Sequence, residues 1–153
     1  MSALISNLEI RHEANAACPT NGKAGRRVDT QIVKAMLDLP LNVLRNVEYR
    51  FCPDPDCPTV YYSADGSQTF TETDLRERVY QKHPQDAGVF VCYCFRHTLG
   101  ETLAEGQRVA AEINLGIKNG QCACDIRNPQ GSCCLGNVNA IVKRALGDAS
   151  VIQ

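Results

Sequence analysis

The first segment with a clear hydrophobic pattern is a short helix. Residues 28–40 place their apolar side chains on one helical face, with Asp29 or Thr30 as N-cap and Pro40 just beyond the end. The predicted apolar face consists of Ile32, Val33, Met36 and Leu37. This pattern predicts a helix that packs one side against a core.

Strand patterns follow. Residues 47–52 and 59–63 are rich in aromatic and β-branched side chains, and the turn "ADGS" leads into a third run at 68–74. We expect a small antiparallel sheet. After it, residues 71–82 begin with a capping pattern from Thr71 to Asp74 and predict a second helix.

The second half has a helical period. Two helices are predicted over residues 97–106 and 107–120, each ending at a glycine, and a third over residues 135–148, with Gly147 as C-cap. The predicted apolar stripe of this third helix consists of Val138, Ile141, Val142 and Leu146.

A polar stretch, "QKHPQDAG", separates the two patterns and predicts a linker. We therefore predict an α+β protein of two units. Residues 1–87 form a small zinc-binding antiparallel β subdomain with flanking helices, and residues 88–153 form a helical, helix-turn-helix module.

Composition narrows the function classes. The net charge of -1 gives no reason to expect nucleic acid as a partner. No window approaches the roughly 20 apolar residues of a membrane-spanning helix, and the N-terminus lacks a secretory pattern, so we expect a cytoplasmic protein without membrane insertion. No combination of acid, base and nucleophile suggests an enzyme.

Nine cysteines then become the dominant feature. Thiols stay reduced in the cytoplasm and an odd count cannot pair completely, so metal ligation is favoured over disulfides. The cysteines form two groups along the chain. The first comprises Cys18, Cys52 and Cys57, and the second comprises Cys92, Cys94, Cys122, Cys124, Cys133 and Cys134.

The first group predicts a structural zinc site. Cys52 and Cys57 flank a Pro- and Asp-rich turn, and Cys18 supplies a third thiolate from a "CPTNG" segment. Zinc knuckles of this type usually read C-P-x-C-G, but here Asn21 stands at the second cysteine position. The fourth ligand stays open between His12, a water or an acidic side chain, and the alternative is a β-module that folds without metal.

The second group predicts an iron-sulfur cluster. A [2Fe-2S] cluster takes four thiolates, and one C-x-C turn plus two cysteines from a distant loop beside a helix start can provide them. Six candidates leave two spare.

These motifs resemble a known family. "CYCF" followed by a helical pair and "CACDIRNPQGSCCLGN", together with "FCPDPDCPTVYY", is similar to the N-terminal zinc- and [2Fe-2S]-binding domain of the copper chaperone CopZ, over roughly residues 16–147. The second half also resembles, more distantly, the bacterioferritin-associated ferredoxins. The sequence holds no M-x-C-x-x-C loop of the kind that carries copper in CopZ, so the resemblance does not imply copper delivery.

The resemblance implies cluster ligation by Cys92 and Cys94, with one cysteine from 122/124 and one from 133/134. We favour Cys124 and Cys134. Cys134 precedes a predicted helix, whose N-terminus is expected to lower a thiol pKa, and the other pairing stays open.

The resulting functional prediction is a one-electron carrier linked to copper or other heavy-metal handling. Its partner would be a redox or metal-handling protein, such as a metal chaperone or transporter. Two rivals remain: a trafficking or sensing protein that binds soft cations directly through its thiols, and an interaction module whose metals only stabilise the fold.

Overall fold

The computed structural model describes residues 16–152, with side chains through residue 147. Its first half is built on a four-stranded antiparallel sheet in the order β1-β2-β3-β4. The strands span Arg26–Val28, Tyr49–Phe51, Thr59–Ser63 and Thr69–Thr71. The predicted antiparallel sheet is confirmed, and β1 is an additional strand that the sequence pattern did not indicate.

One helix covers this sheet. Helix α1 spans Thr30–Met36, with Asp29 at the N-cap position, and buries Ile32, Val33 and Met36. The three aromatic residues Tyr49, Phe51 and Tyr61 are fully buried beneath it. Burial of such large side chains is the main stabilising contribution of this half.

The predicted helix over 71–82 is wrong. Its capping box forms, with the Asp74 carboxylate accepting from the Thr71 N–H, but the range holds only two short 3-10 turns, Glu72–Asp74 and Tyr80–Lys82. Leu75 is extended and forms a β-bridge with Leu37. Leu75 is buried in the core of the first half, so tertiary packing outweighs the local helical preference.

The second half begins with a hairpin and continues as helices. Strands β5, Phe90–Cys92, and β6, His97–Thr98, pair antiparallel. Helices α2, α3 and α4 follow. They span Leu99–Lys118, Cys124–Arg127 and Leu135–Ile152. The α+β class is therefore confirmed. The second half differs from a purely helical module because it opens with a hairpin.

One predicted helix boundary in this half is confirmed and another is wrong. Element α2 consists of two helical segments that meet at a non-helical kink at Glu105, next to the break predicted between Gly106 and residue 107. A Cβ atom at Gly106 would clash with the Val142 side chain, so the glycine allows α2 and α4 to approach closely. Helix α4 also continues past Gly147, and Leu146 is exposed rather than part of the buried stripe.

The two halves contact each other through the loop between α3 and α4. The Tyr61 hydroxyl, fully buried in the sheet, donates to the Pro129 carbonyl oxygen. In the linker, Gln81 Nε2 donates to Gln130 Oε1 at 2.5 Å. The predicted division near residue 87 stays a prediction. Within residues 16–152, none of the helices combines the length and hydropathy needed to cross a membrane.

Candidate metal centres

The first thiol site consists of Cys18, Cys52 and Cys57. Their Sγ atoms all lie within 4.8 Å of one another, and all three residues are buried. The Cys18 and Cys57 Sγ atoms are 3.9 Å apart. The sequence prediction that these three cysteines lie together agrees with this arrangement.

Two tight turns position these thiols. The Cys18 carbonyl accepts from the Gly22 N–H at 2.8 Å, in a turn where Gly22 takes a φ of +76° that glycine adopts readily. The Cys57 N–H donates to the Asp54 carbonyl at 3.1 Å. Lys82, from the linker, donates to the carbonyl oxygens of Asp54 and Cys57 at 2.7 and 2.8 Å and closes the second turn.

Asn21 occupies the position where a knuckle of this type usually has its second cysteine. Its Nδ2 donates to Asp54 Oδ2 at 3.0 Å and lies 3.5 Å from Cys52 Sγ, while its Oδ1 accepts from the Lys23 N–H at 2.9 Å. Asn21 therefore presents an N–H donor to a thiol. His12, the other ligand considered from the sequence, lies outside the described residues.

The donor set of the first thiol site fits zinc. Two thiolates bound to a tetrahedral zinc at about 2.3 Å each are about 3.8 Å apart, close to the Cys18–Cys57 separation of 3.9 Å. Burial raises the pKa of Cys18, but backbone N–H donors from Asn21 and Thr20 outweigh it and the net pKa is lowered. Burial raises the pKa of Cys52 to about 11 and so disfavours its thiolate form. A bound cation would stabilise this thiolate.

The second thiol site lies between the β5–β6 hairpin and the starts of two helices. Cys92 ends β5 and is fully buried, and Cys94 follows in the hairpin turn. Cys124 is the first residue of α3, and Cys134 directly precedes α4. Cys134 is 1% exposed and Cys124 is 6% exposed, so the four predicted cluster ligands come from three segments and meet in the core.

The thiols of this site lie in one core cluster. Cys92, Cys124 and Cys134 are buried members of that cluster and Cys94 packs against it. Cys94 Sγ lies 3.7 Å from Cys124 Sγ. Backbone N–H groups also point at the sulfurs: Phe95 donates to Cys92 at 3.4 Å, and Ala123 donates to Cys94 at 3.2 Å.

The pKa values of these thiols shift in opposite directions. The hydrogen bond from Cys134 lowers the pKa of Cys92 to about 6 and that of Cys124 to about 5. The same two bonds raise the pKa of Cys134 itself. The expectation that the helix start lowers the pKa of Cys134 is therefore wrong, because this thiol donates to two neighbouring thiolates. Burial raises the pKa of Cys94 to about 12.

The two spare cysteines differ from each other. Cys122 is half-buried, and its Sγ lies within 4.8 Å of the Sγ atoms of Cys94 and Cys124. Cys133 is exposed, and its Sγ accepts from the Leu135 N–H at 3.5 Å. All nine cysteines lie among the described residues, and all are free thiols.

Sequence reasoning missed the polar residues that hold the second thiol site. Asn128 is buried, donates to the Ser132 carbonyl at 3.0 Å and reaches Cys124 Sγ at 4.0 Å. Gln130 Nε2 donates to the carbonyls of Ser132 and Cys133 at 3.3 and 3.2 Å. The signal was present in the motif "NPQG", whose amide side chains could have been assigned as loop-forming groups.

Comparisons with known proteins support a metal-binding assignment. Residues 15–76 match the CopZ-type family described as "Zinc binding domain". The fold is similar to the crystal structure of the Archaeoglobus fulgidus CopZ N-terminal domain, with a TM-score of 0.63 and 26% sequence identity. This similarity covers 82% of the present chain and 97% of the other. No curated protein matches the chain.

Residues 15–76 are thus similar to a CopZ-type zinc-binding domain, and the three cysteines of the first thiol site lie inside the matched range. The shared fold extends beyond residues 15–76, because it covers 82% of the chain.

Proposed function

We propose that this is a metal-handling protein in which the two thiol sites have different tasks. The first thiol site binds zinc and stabilises the fold. The second thiol site binds a [2Fe-2S] cluster through Cys92, Cys94, Cys124 and Cys134, and the protein passes single electrons to a partner in copper or heavy-metal handling.

The observation that carries the cluster proposal is that Cys92, Cys124 and Cys134 are buried in one core cluster against which Cys94 packs, with Cys94 Sγ 3.7 Å from Cys124 Sγ. Four thiols from a hairpin and two helix starts suit a cluster that needs two thiolates for each iron. Cys122 and Cys133 are spare in this arrangement.

The surrounding residues support this assignment through hydrogen bonding. N–H groups of Phe95, Ala123 and Asn128 approach the sulfurs of Cys92, Cys94 and Cys124. Such donors raise the reduction potential of a bound cluster and orient its ligands. The cluster would supply the one-electron chemistry. The protein would hold it in a site whose buried cysteines limit contact with water.

Zinc at the first thiol site would have no redox role, since zinc has a single stable oxidation state. The thiols that would bind it lie in turns beside the sheet, and the Lys82 ammonium group donates to carbonyl oxygens of one of these turns. We therefore assign the site a structural role. A cytoplasmic location is part of the proposal, since both sites need reduced thiols.

The test compares two adjacent cysteines. Protein is purified without oxygen, iron and sulfide are quantified, and the EPR spectrum of the dithionite-reduced form is recorded for Cys134→Ala and Cys133→Ala. We expect a reducible two-iron signal in the wild type and in Cys133→Ala, and its loss in Cys134→Ala. Retention of iron and sulfide in Cys134→Ala would exclude this ligand set, and their absence from the wild type would exclude the cluster.

A second candidate function is metal trafficking, in which thiols bind soft cations directly. It is favoured by the CopZ-like zinc-binding domain and by Cys122, a thiol beside Cys94 and Cys124 that a four-ligand cluster does not require. Cluster displacement by added Cu(I), measured as loss of visible absorbance, would favour trafficking. A cluster that survives one equivalent of Cu(I) would favour the electron carrier.

A further inference from the structure

Five thiols, rather than four, converge around the start of α3. Cys92, Cys124 and Cys134 are buried in one core cluster, with Cys94 and Cys122 packed against it, and Cys94 Sγ donates to Cys124 Sγ at 3.7 Å. Three of these sulfurs, those of Cys94, Cys122 and Cys124, all lie within 4.8 Å of one another. They form a compact triangle, and only two of its members belong to the proposed cluster ligand set.

We propose that Cys94, Cys122 and Cys124 form a binding site for a soft monovalent cation, Cu(I), that shares two ligands with the cluster site. Three thiolates at mutual contact distance provide the soft donors that Cu(I) prefers. This inference rests on the proposed function in one respect, because the cluster is assigned to Cys94 and Cys124.

Shared ligands make the two occupants mutually exclusive. When Cu(I) binds the triangle, it takes the thiolates of Cys94 and Cys124 from the irons, and Cys122 supplies the third. The step is a ligand exchange without electron transfer. The iron and sulfide ions would leave, Cys122 would release its proton to solvent, and the freed thiolates of Cys92 and Cys134, like the sulfide ions, would take up protons from solvent. The second thiol site would then hold either a redox cluster or a captured copper ion.

The triangle lies on the accessible side of the second thiol site. Cys94 and Cys122 are half-buried, whereas Cys92 and Cys134 are buried. The segment leading to Cys122 is exposed. An incoming ion therefore meets Cys122 and Cys94 first.

The first test compares Cys122→Ser with Cys133→Ser. Cu(I) is presented anaerobically in competition with a chromophoric Cu(I) chelator. Loss of a direct ligand should weaken Cu(I) binding at this site at least about tenfold, since even loss of outer-shell partners costs about 10- to 100-fold. Cys133→Ser should bind as the wild type does, and both variants should keep the cluster. Unchanged Cu(I) affinity in Cys122→Ser would overturn the proposal.

A second test uses the unmodified protein and is therefore independent of any folding defect. Cysteines are alkylated with N-ethylmaleimide and mapped by mass spectrometry in the cluster-loaded and the Cu(I)-loaded forms, with zinc release monitored to detect copper at the first thiol site. We expect Cys122 to react in the cluster-loaded form and to be protected by Cu(I). A Cys122 that reacts equally in both forms would overturn the proposal.

The two proposals can fail separately. Purified protein without iron and sulfide contradicts the cluster, while protection of Cys122 by Cu(I) would still support the triangle. A stable cluster together with an unprotected Cys122 contradicts the triangle and leaves the electron carrier intact.

Discussion

The two thiol sites are built from different kinds of structure. The first contains three buried thiols from turns beside the sheet. Asn21, which points an N–H group at Cys52, stands at the position where a zinc knuckle usually has a fourth thiol. The second gathers five thiols at a hairpin turn and two helix starts, where they belong to one core cluster. One site thus has fewer thiols than a closed zinc knuckle requires, and the other has more than a cluster requires.

This difference shows how ligand number relates to function. A closed structural site needs a fixed set of donors and little access. A site with a surplus thiol on its accessible side can exchange ligands, because Cys122 can replace a donor that moves away. We therefore expect the first site to stabilise the fold and the second to carry out ligand exchange or redox chemistry.

The largest expected effect is that of zinc removal. A strong chelator should lower the free energy of unfolding by several kcal/mol, since structural zinc in small domains contributes roughly 10 kcal/mol or more and this half also has its own core. Urea unfolding with and without chelator measures the change, with Cys133→Ser as a control that should respond as the wild type does. An unchanged midpoint would mean that the first thiol site does not stabilise the fold.

The contact between the halves gives the next largest effect. Tyr61→Phe removes the hydroxyl that donates to the Pro129 carbonyl in the loop beside the second thiol site. Loss of a buried hydrogen bond of this kind should cost about 1–3 kcal/mol.

The matched control for this variant is Tyr80→Phe. The Tyr80 hydroxyl lies 3.5 Å from Arg144 Nη2 in an exposed contact, so its loss should cost less than about 0.5 kcal/mol. Equal effects of the two variants in chemical denaturation would show that the Tyr61 contact is not a specific stabilising link.

A smaller effect is expected from completing the first thiol site. Asn21→Cys places a fourth thiol where Asn21 now donates toward Cys52. Zinc affinity should rise about tenfold or more, because four thiolates satisfy the tetrahedral preference of the ion. Competition with a fluorescent zinc chelator measures this. Asn21→Ala is the control, and an affinity gain shared by both variants would argue that removal of the amide, rather than the new thiol, is responsible.

The sequence predicted elements best where the signal is local. Helix α1 has an N-cap and one apolar face, and the strands near Tyr49 and Tyr61 have a clear β composition, so these elements were predicted correctly. The helix after Thr71 was predicted incorrectly, because Leu75 gains more from an extended pairing with Leu37 than from a helical turn.

The same contrast between local signals and contacts that depend on the fold applies to the site residues. Cysteine spacing identified pairs such as Cys52 and Cys57 or Cys92 and Cys94 because these turns are local, whereas the position of Cys18 beside Cys52 and Cys57 depends on the fold. The amide groups of Asn128 and Gln130 donate to carbonyl oxygens of the same short loop, and the motif could have indicated this. The ammonium group of Lys82 donates to the carbonyl oxygens of Asp54 and Cys57, which only the fold brings near it. The raised pKa of Cys134 could not be foreseen either, because its cause is hydrogen bonding with both Cys124 and Cys92.

The most direct test of the account measures zinc, iron and sulfide in Cys18→Ala and Cys92→Ala, both purified without oxygen. The account predicts that Cys18→Ala loses zinc and keeps iron and sulfide in equal amounts, while Cys92→Ala loses iron and sulfide and keeps zinc. Zinc at both sites of the wild type, with no sulfide, would contradict the division of tasks between the two thiol sites.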